Sequence, residues 1–157
     1  MEFAADEQRA RLINAPDTIE RLMRTPGTWA VVGLSQDESR AAFHVSALLQ
    51  GLGKRIIPVH PRAVEVHGEA GYRRLADIPD GRTVDVVDCF VNSRRVGAVV
   101  DDAIQERARL GITAVWMQLG VIDPDAVDRA LTAGLDVVVD RCPAIEARRL
   151  NLEHDVS

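Results

Sequence analysis

Apolar residues in this chain form short, nearly unbroken runs, separated by longer stretches in which they recur every three or four positions. The runs cover residues 29–32, 55–60, 84–91, 113–118 and 136–140, each bounded by glycine, proline or charged residues, and this pattern predicts five strands. The stretches between them predict helices. One covers 41–52, with Phe43, Ala47, Leu48 and Leu52 as its apolar stripe; another covers 94–110, capped by Asn92-Ser93, with Val96, Val99, Val100, Ala103 and Ile104 inward. Asp123-Pro124 starts a helix through Ala133, and Pro143 opens a last one to about Leu152. Upstream, 5–25 predicts two helical pieces parted by Asn14-Ala15-Pro16. Leu12 and Ile13 are apolar in the first, while Ile19, Leu22 and Met23 face inward from the second. These pieces are expected to cover an edge or a face of the sheet. Between the second and third strands, a short edge strand is expected at 64–66 and a helix around 72–76.

The strands are runs of valine and isoleucine without polar alternation, and they alternate with helices, which is the mark of a parallel sheet covered on both faces. Right-handed crossovers and short links favour a doubly wound sheet with strands ordered 2-1-3-4-5. Pro58 cannot donate to a ladder, so the second strand belongs near an edge. In such a sheet the crevice opens beyond the C-terminal ends of strands 1 and 3. Gly33-Leu34-Ser35, His60-Pro61-Arg62, Val91-Asn92-Ser93 and Met117-Gln118-Leu119-Gly120 all converge there.

Composition narrows the class. At 157 residues the chain fits one domain, and 46% apolar with 27% charged residues is ordinary for a globular protein. No apolar run approaches the roughly 20 residues that span a bilayer. The start, Met1-Glu2-Phe3-Ala4-Ala5-Asp6-Glu7, lacks the basic flank and apolar core of a signal peptide, so a cytoplasmic location and no membrane partner are expected. A net charge of −5 opposes general nucleic-acid affinity. Each of the arginine pairs 73–74, 94–95 and 148–149 could meet a phosphate, but a solvated helix face is the favoured reading. Cys89 and Cys142 are too few for a disulfide framework and are read as buried free thiols, although Cys142, after Asp140-Arg141, could lie near the surface and be reactive.

A nucleotide is the natural occupant of such a crevice. The dinucleotide fingerprint G-x-G-x-x-G is not met, because Gly33 is followed by Leu34-Ser35-Gln36-Asp37-Glu38. The acidic residue that would hold a ribose diol at the end of strand 2 is replaced by His60-Pro61-Arg62, which suits a phosphorylated ribose better. Ser35, the start of the following helix and Arg40 supply further phosphate-binding groups. Ser-His-Asp, HExxH and CxxC patterns are absent from the sequence, so no catalytic or metal-ligating residues are assigned. Asp85 and Asp88, three apart on a strand, face opposite ways and do not form an acid–base pair.

Five segments carry a resemblance: Ala30-Val31-Val32-Gly33-Leu34-Ser35, Ile57-Pro58-Val59-His60-Pro61, Val84-Asp85-Val86-Val87-Asp88, Val115-Trp116-Met117-Gln118-Leu119-Gly120-Val121 and Val138-Val139-Asp140-Arg141-Cys142-Pro143. In order and spacing the chain resembles, over about 18–150, the small stand-alone CoA-binding proteins. These are similar to the N-terminal CoA-binding domain of the succinyl-CoA synthetase α subunit. The resemblance implies a Rossmann-like α/β/α fold; the residue pattern places that domain at 28–152, after a helical segment (1–27) packed on it and before a tail (153–157) that includes His154. It also implies a coenzyme A or acyl-CoA ligand. By the same resemblance, Gly33, Ser35 and Arg40 match the turn after strand 1, and His60, Pro61 and Arg62 the loop after strand 2. Val91 and Asn92 match the loop after strand 3, and Met117, Gln118 and Gly120 the loop after strand 4. The phosphohistidine domain of the synthetases has no counterpart in the sequence, so a binding module without its own chemistry is expected, working with a protein partner or as a homo-oligomer. The alternative is a nicotinamide-dinucleotide-dependent oxidoreductase domain. Trp116, just before the crevice, is expected to report ligand binding by its fluorescence.

Overall fold

Strands without polar alternation need cover on both faces, and the protein provides it with two helical layers. The computed structural model describes residues 2–152. The chain runs α1 (Glu2–Leu12), α2 (Pro16–Arg24), β1 (Thr28–Val32), α3 (Ala41–Gly51), β2 (Arg55–Val59), a 3-10 turn (Leu75–Asp77), β3 (Val86–Cys89), α4 (Ser93–Leu110), β4 (Ala114–Met117), α5 (Pro124–Thr132), β5 (Asp136–Val138) and α6 (Pro143–Arg149). All strands are parallel, in the order β2-β1-β3-β4-β5. This is the doubly wound, Rossmann-like sheet that the sequence predicts.

The two-residue period of a strand divides the core. On one face α4 and α5 bury Val96, Val100, Ala103 and Ala126 against Ala30, Val87, Val115, Met117 and Val137. On the other, α2, α3 and α6 cover Trp29, Val31, Val86, Trp116 and Val138 with Leu22, Met23, Val45, Leu49 and Ala147. The rings of Trp29 and Trp116 meet there at 5.3 Å. Each fully buried aliphatic side chain contributes roughly 1.5–3 kcal/mol.

The N-terminal helices cover both an edge and a face. Asn14, with φ of 55°, clips onto the β5 edge: its side chain donates to Val139 O and accepts from Val139 N, and its own N–H bonds Val137 O. Behind α2 lies Lys54, the only lysine in the sequence. It is 4% exposed, and its Nζ donates to Leu22 O and Thr25 O at 2.9 and 2.7 Å, placing a cation at the C-terminal end of that helix. Burial pushes its amine down to about 8, against the opposing pull of Asp85.

Three local expectations are corrected. Residues 64–66 form no strand; Val66 makes only an isolated bridge to Glu69, because left-handed residues at Ala63, His67 and Gly68 fold the loop back on itself. The helix expected at 72–76 begins later and is a single 3-10 turn. Tyr72 is instead extended against the open edge of β2, giving its N–H to Pro58 O and accepting from His60 N. In α3 the buried residues are Ala42, Val45, Ser46 and Leu49, with Ala47 exposed. Phe43 is drawn sideways to pack on His67, ring centroids 4.4 Å apart. Among the described residues, no helix is long and apolar enough to cross a membrane.

Candidate functional site

The winding reverses between β1 and β3, and a crevice of about 1120 Å³ opens there at the C-terminal ends of the strands. Gly33 makes this junction possible. Its φ is +98°, and a Cβ would stand 2.2 Å from the Phe90 carbonyl oxygen, so glycine is needed for packing β1 against β3 as well as for the turn. Its N–H donates to Val59 O, and Phe90 N–H donates to Val32 O, tying the ends of β2, β1 and β3 together.

The turn after β1 is organised by its own side chains. Ser35 Oγ accepts from Asp37 N–H at 3.2 Å, and Asp37 Oδ1 accepts from Ser39 N–H and Oγ–H. The Ser39 hydroxyl, with smaller contributions including Arg40, holds the Asp37 carboxyl below its usual range. Arg40 Nε lies 3.6 Å from Asp37 Oδ2. The Asp37 charge is therefore spent within the turn. Helix α3 has no side-chain cap, and Ala41 and Ala42 line the crevice, leaving its first N–H groups for an anion.

The exit of β2 supplies His60, Pro61 and Arg62. His60 Nδ1 accepts from Arg62 N–H at 3.1 Å, and burial followed by the Arg62 charge lowers the imidazole pKa. At neutral pH His60 is therefore an uncharged ring, and the positive charge of this loop belongs to Arg62. Asn92 caps α4, its Oδ1 accepting from Arg95 N–H at 3.0 Å. Ser93 Oγ donates to Gly120 O and accepts from Ile122 N–H, while Gly120 N–H donates to Asp140 Oδ1. The loop after β4 is thus fastened on both sides.

Gly33, Ser35, Arg40, His60, Pro61, Arg62, Val91, Asn92 and Gln118 line the crevice. Met117 and Gly120 do not. Met117 is fully buried in the core beneath α4 and α5, as it must be if its neighbour Gln118 points to the opposite face. Gly120 has its backbone turned to Ser93 and Asp140. Trp116 is also fully buried, its Nε1 donating to Arg141 O, so it stands behind the crevice wall rather than at its mouth. Asp85 accepts from Thr28 N–H at 2.8 Å and caps a strand end; Asp88 lies inside the core. Cys89 is buried, and burial pushes its thiol up; Cys142 is only half-buried, at the start of α6. His154 lies outside the described residues.

Two of the three arginine pairs, favoured from sequence as solvated helix faces, stand at the crevice instead. Arg73-Arg74, beside the 3-10 turn, and Arg94-Arg95, in the first turn of α4, both line the crevice, where Arg40 and Arg62 join them. Six guanidinium groups stand against the carboxylates of Asp37 and Asp102. Among the described residues Arg62, Arg73, Arg94 and Arg95 make no salt bridge, while Arg74 reaches Asp77 at 4.0 Å. Burial raises the Asp102 pKa, and Arg74 partly offsets this.

A crevice of this form, basic in an acidic chain, fits a phosphorylated ligand, and comparison with known proteins gives the family. The sequence profile of the CoA binding domain matches residues 27–148. The chain belongs to the CoA-binding domain family. This CoA-binding domain is 30% identical over 124 residues to the uncharacterized protein YneT of Bacillus subtilis, covering 79% of the present chain and 87% of YneT. It superposes on a hypothetical protein from Pyrococcus horikoshii with a TM-score of 0.77 and 32% identity, covering 86% and 91% of the two chains. It is also similar, at TM-score 0.61 and 28% identity, to part of a dinucleotide-forming acetyl-coenzyme A synthetase from Ca. Korarchaeum cryptofilum. That match covers 76% of the present chain and 26% of the synthetase.

Proposed function

We propose that this CoA-binding domain holds coenzyme A or an acyl-CoA in the crevice between β1 and β3 and serves as a binding module. The observation that carries the reading is the concentration of six arginines around one crevice in a chain of net charge −5. Coenzyme A offers a pyrophosphate and a monoester phosphate, the latter carrying about −1.5 to −2 at neutral pH. The uncapped start of α3 with Arg40 suits the pyrophosphate. Arg62, Arg73, Arg74, Arg94 and Arg95 suit the phosphate on the ribose, because planar guanidinium groups bind phosphate in pairs. The polar groups nearest the ligand are committed to the backbone: His60 to Arg62 N–H, Ser35 to Asp37 N–H and Asn92 to Arg95 N–H. This supports holding the ligand rather than transforming it.

Calorimetric titration of ligand-free protein with coenzyme A, dephospho-coenzyme A and NAD tests the proposal. Coenzyme A is expected to bind more tightly than the dephospho form. At one hundred times its Kd it is expected to add about 2.7 kcal/mol of stability in thermal unfolding. Tight binding of NAD without binding of coenzyme A would overturn the proposal and favour the oxidoreductase reading.

A further inference from the structure

The inner end of the crevice holds a polar pair that the reading above does not use. Asp88 of β3 is completely buried, in register with Val31 of β1 and Trp116 of β4. Its Oδ2 has no hydrogen-bond partner, and its Oδ1 accepts from Gln118 Nε2 at 2.5 Å. Gln118, 6% exposed, also lines the crevice. One half of its amide is thus held by a sealed carboxyl while the residue borders the ligand space.

A carboxylate buried without a counter-ion is unfavourable, and the group keeps its proton instead. Burial pushes Asp88 up to about 8. A neutral acid has an O–H to donate, and a separation of 2.5 Å suits O–H···O better than N–H···O. A half-turn of the Gln118 amide exchanges its two ends. With Asp88 neutral, its O–H donates to Gln118 Oε1 and the amide NH₂ turns to the crevice. With Asp88 ionised, the NH₂ donates to the carboxylate and the amide carbonyl faces the crevice. No charged partner holds Asp88 in either state: Val31, Trp116 and Gln118 are its neighbours across the sheet. On the covering helices the buried titratable group is Glu146 of α6, beside Arg149, whereas His44 of α3 is exposed and bonded to Glu38 O. Lys54 is tied to α2, and Cys89, adjacent on β3, keeps its proton.

We infer that Gln118 donates to an uncharged carbonyl of the ligand at the β4 end of the crevice, and that Asp88 is the positioning residue that turns the Gln118 NH₂ toward it. The β4 end supplies Gln118, Leu119 and Val121 and no arginine, so the group recognised there is neutral. The inference rests on the coenzyme A reading. The carbonyl is then an amide of the pantetheine arm, which coenzyme A and its thioesters share.

Calorimetry with coenzyme A from pH 6 to 9.5 on wild type, Asp88→Asn and Gln118→Leu tests it. Wild-type affinity is expected to fall at least fivefold between pH 7 and 9. Asp88→Asn, whose amide donates permanently to Gln118 Oε1, is expected to bind like wild type at pH 7 and to lose nothing above it. Gln118→Leu is expected to bind at least fivefold more weakly at pH 7, with no further loss at high pH. ADP, which lacks the arm, is expected to bind all three proteins alike at each pH. Acetyl-CoA, which carries the same arm, is expected to lose as much affinity as coenzyme A in Gln118→Leu, and a loss confined to acetyl-CoA overturns the assignment. Should Asp88→Asn fail to fold, proton uptake on coenzyme A binding near pH 8, read across buffers of different ionisation enthalpy, replaces it. Uptake is expected in wild type and not in Gln118→Leu. Wild-type affinity in Gln118→Leu, a wild-type pH profile in Asp88→Asn, or no proton uptake overturns the inference while leaving the coenzyme A reading intact. No binding of coenzyme A by wild type at any pH overturns both.

Discussion

The two ends of the crevice are built on opposite principles. At the outer end, from the exit of β2 to the start of α4, the arginine side chains are exposed and Arg62, Arg73, Arg94 and Arg95 make no ion pair among the described residues. At the inner end, where β3 and β4 stop, a sealed Asp88 is bound to Gln118, which borders the crevice. The outer end is a field of charge, adaptable and screened by salt. The inner end is fixed in advance and responds to protonation. A ligand that meets both is attracted by the first and oriented by the second.

The largest expected effect removes the joint between the two ends. Gly33→Ala drives a Cβ into the Phe90 carbonyl at a positive φ, and thermal or denaturant unfolding is expected to register a loss of roughly 2–5 kcal/mol. Next, Arg62→Ala combined with Arg94→Ala is expected to weaken coenzyme A binding at least tenfold, or about 1.4 kcal/mol. The loss should shrink as salt rises. Equal losses at low and high salt would show that the outer end does not act through charge.

Asp88→Asn sharpens the comparison from the inner end. In wild type the unfolded carboxyl loses its proton near 3.8, while the folded one keeps it to about 8. Between these values the unfolded state binds fewer protons, so stability declines as pH rises, with a slope on the order of 1 kcal/mol per unit at most. The asparagine variant lacks that slope. Its advantage in melting temperature is expected to grow from pH 4 to 8, and a constant difference would contradict the raised pKa. The smallest effect is expected from Asn92→Ala. Loss of the α4 cap is expected to reduce stability by about 1 kcal/mol.

Much of the scaffold was legible because the relevant signals are local. Gly33, Gly53, Gly111 and Gly134 stand where the chain needs φ above zero, and Pro58 correctly placed β2 at an edge. Register errors arose where one position reverses the outcome. Met117 and Gln118 are neighbours on a strand end, and only Gln118 reaches the crevice. The α3 stripe shifted because Phe43 packs sideways on His67, a residue of a distant loop. For the arginine pairs 73–74 and 94–95 the sequence offered a phosphate contact and a solvated face without a signal to choose the former. Nothing local to Arg73 or Arg94 distinguishes a guanidinium facing water from one facing a groove across the sheet. That difference appears only when the β2 exit and α4 are brought side by side.

The burial of Lys54 has a chemical consequence. Side-chain amines are the usual internal targets of activated acyl groups, and this sequence has one such amine, shut beneath α2 and engaged with two backbone carbonyls. A thioester lodged near the sheet would face a host with no accessible lysine to capture its cargo, and amine-directed labels would leave the folded molecule untouched there.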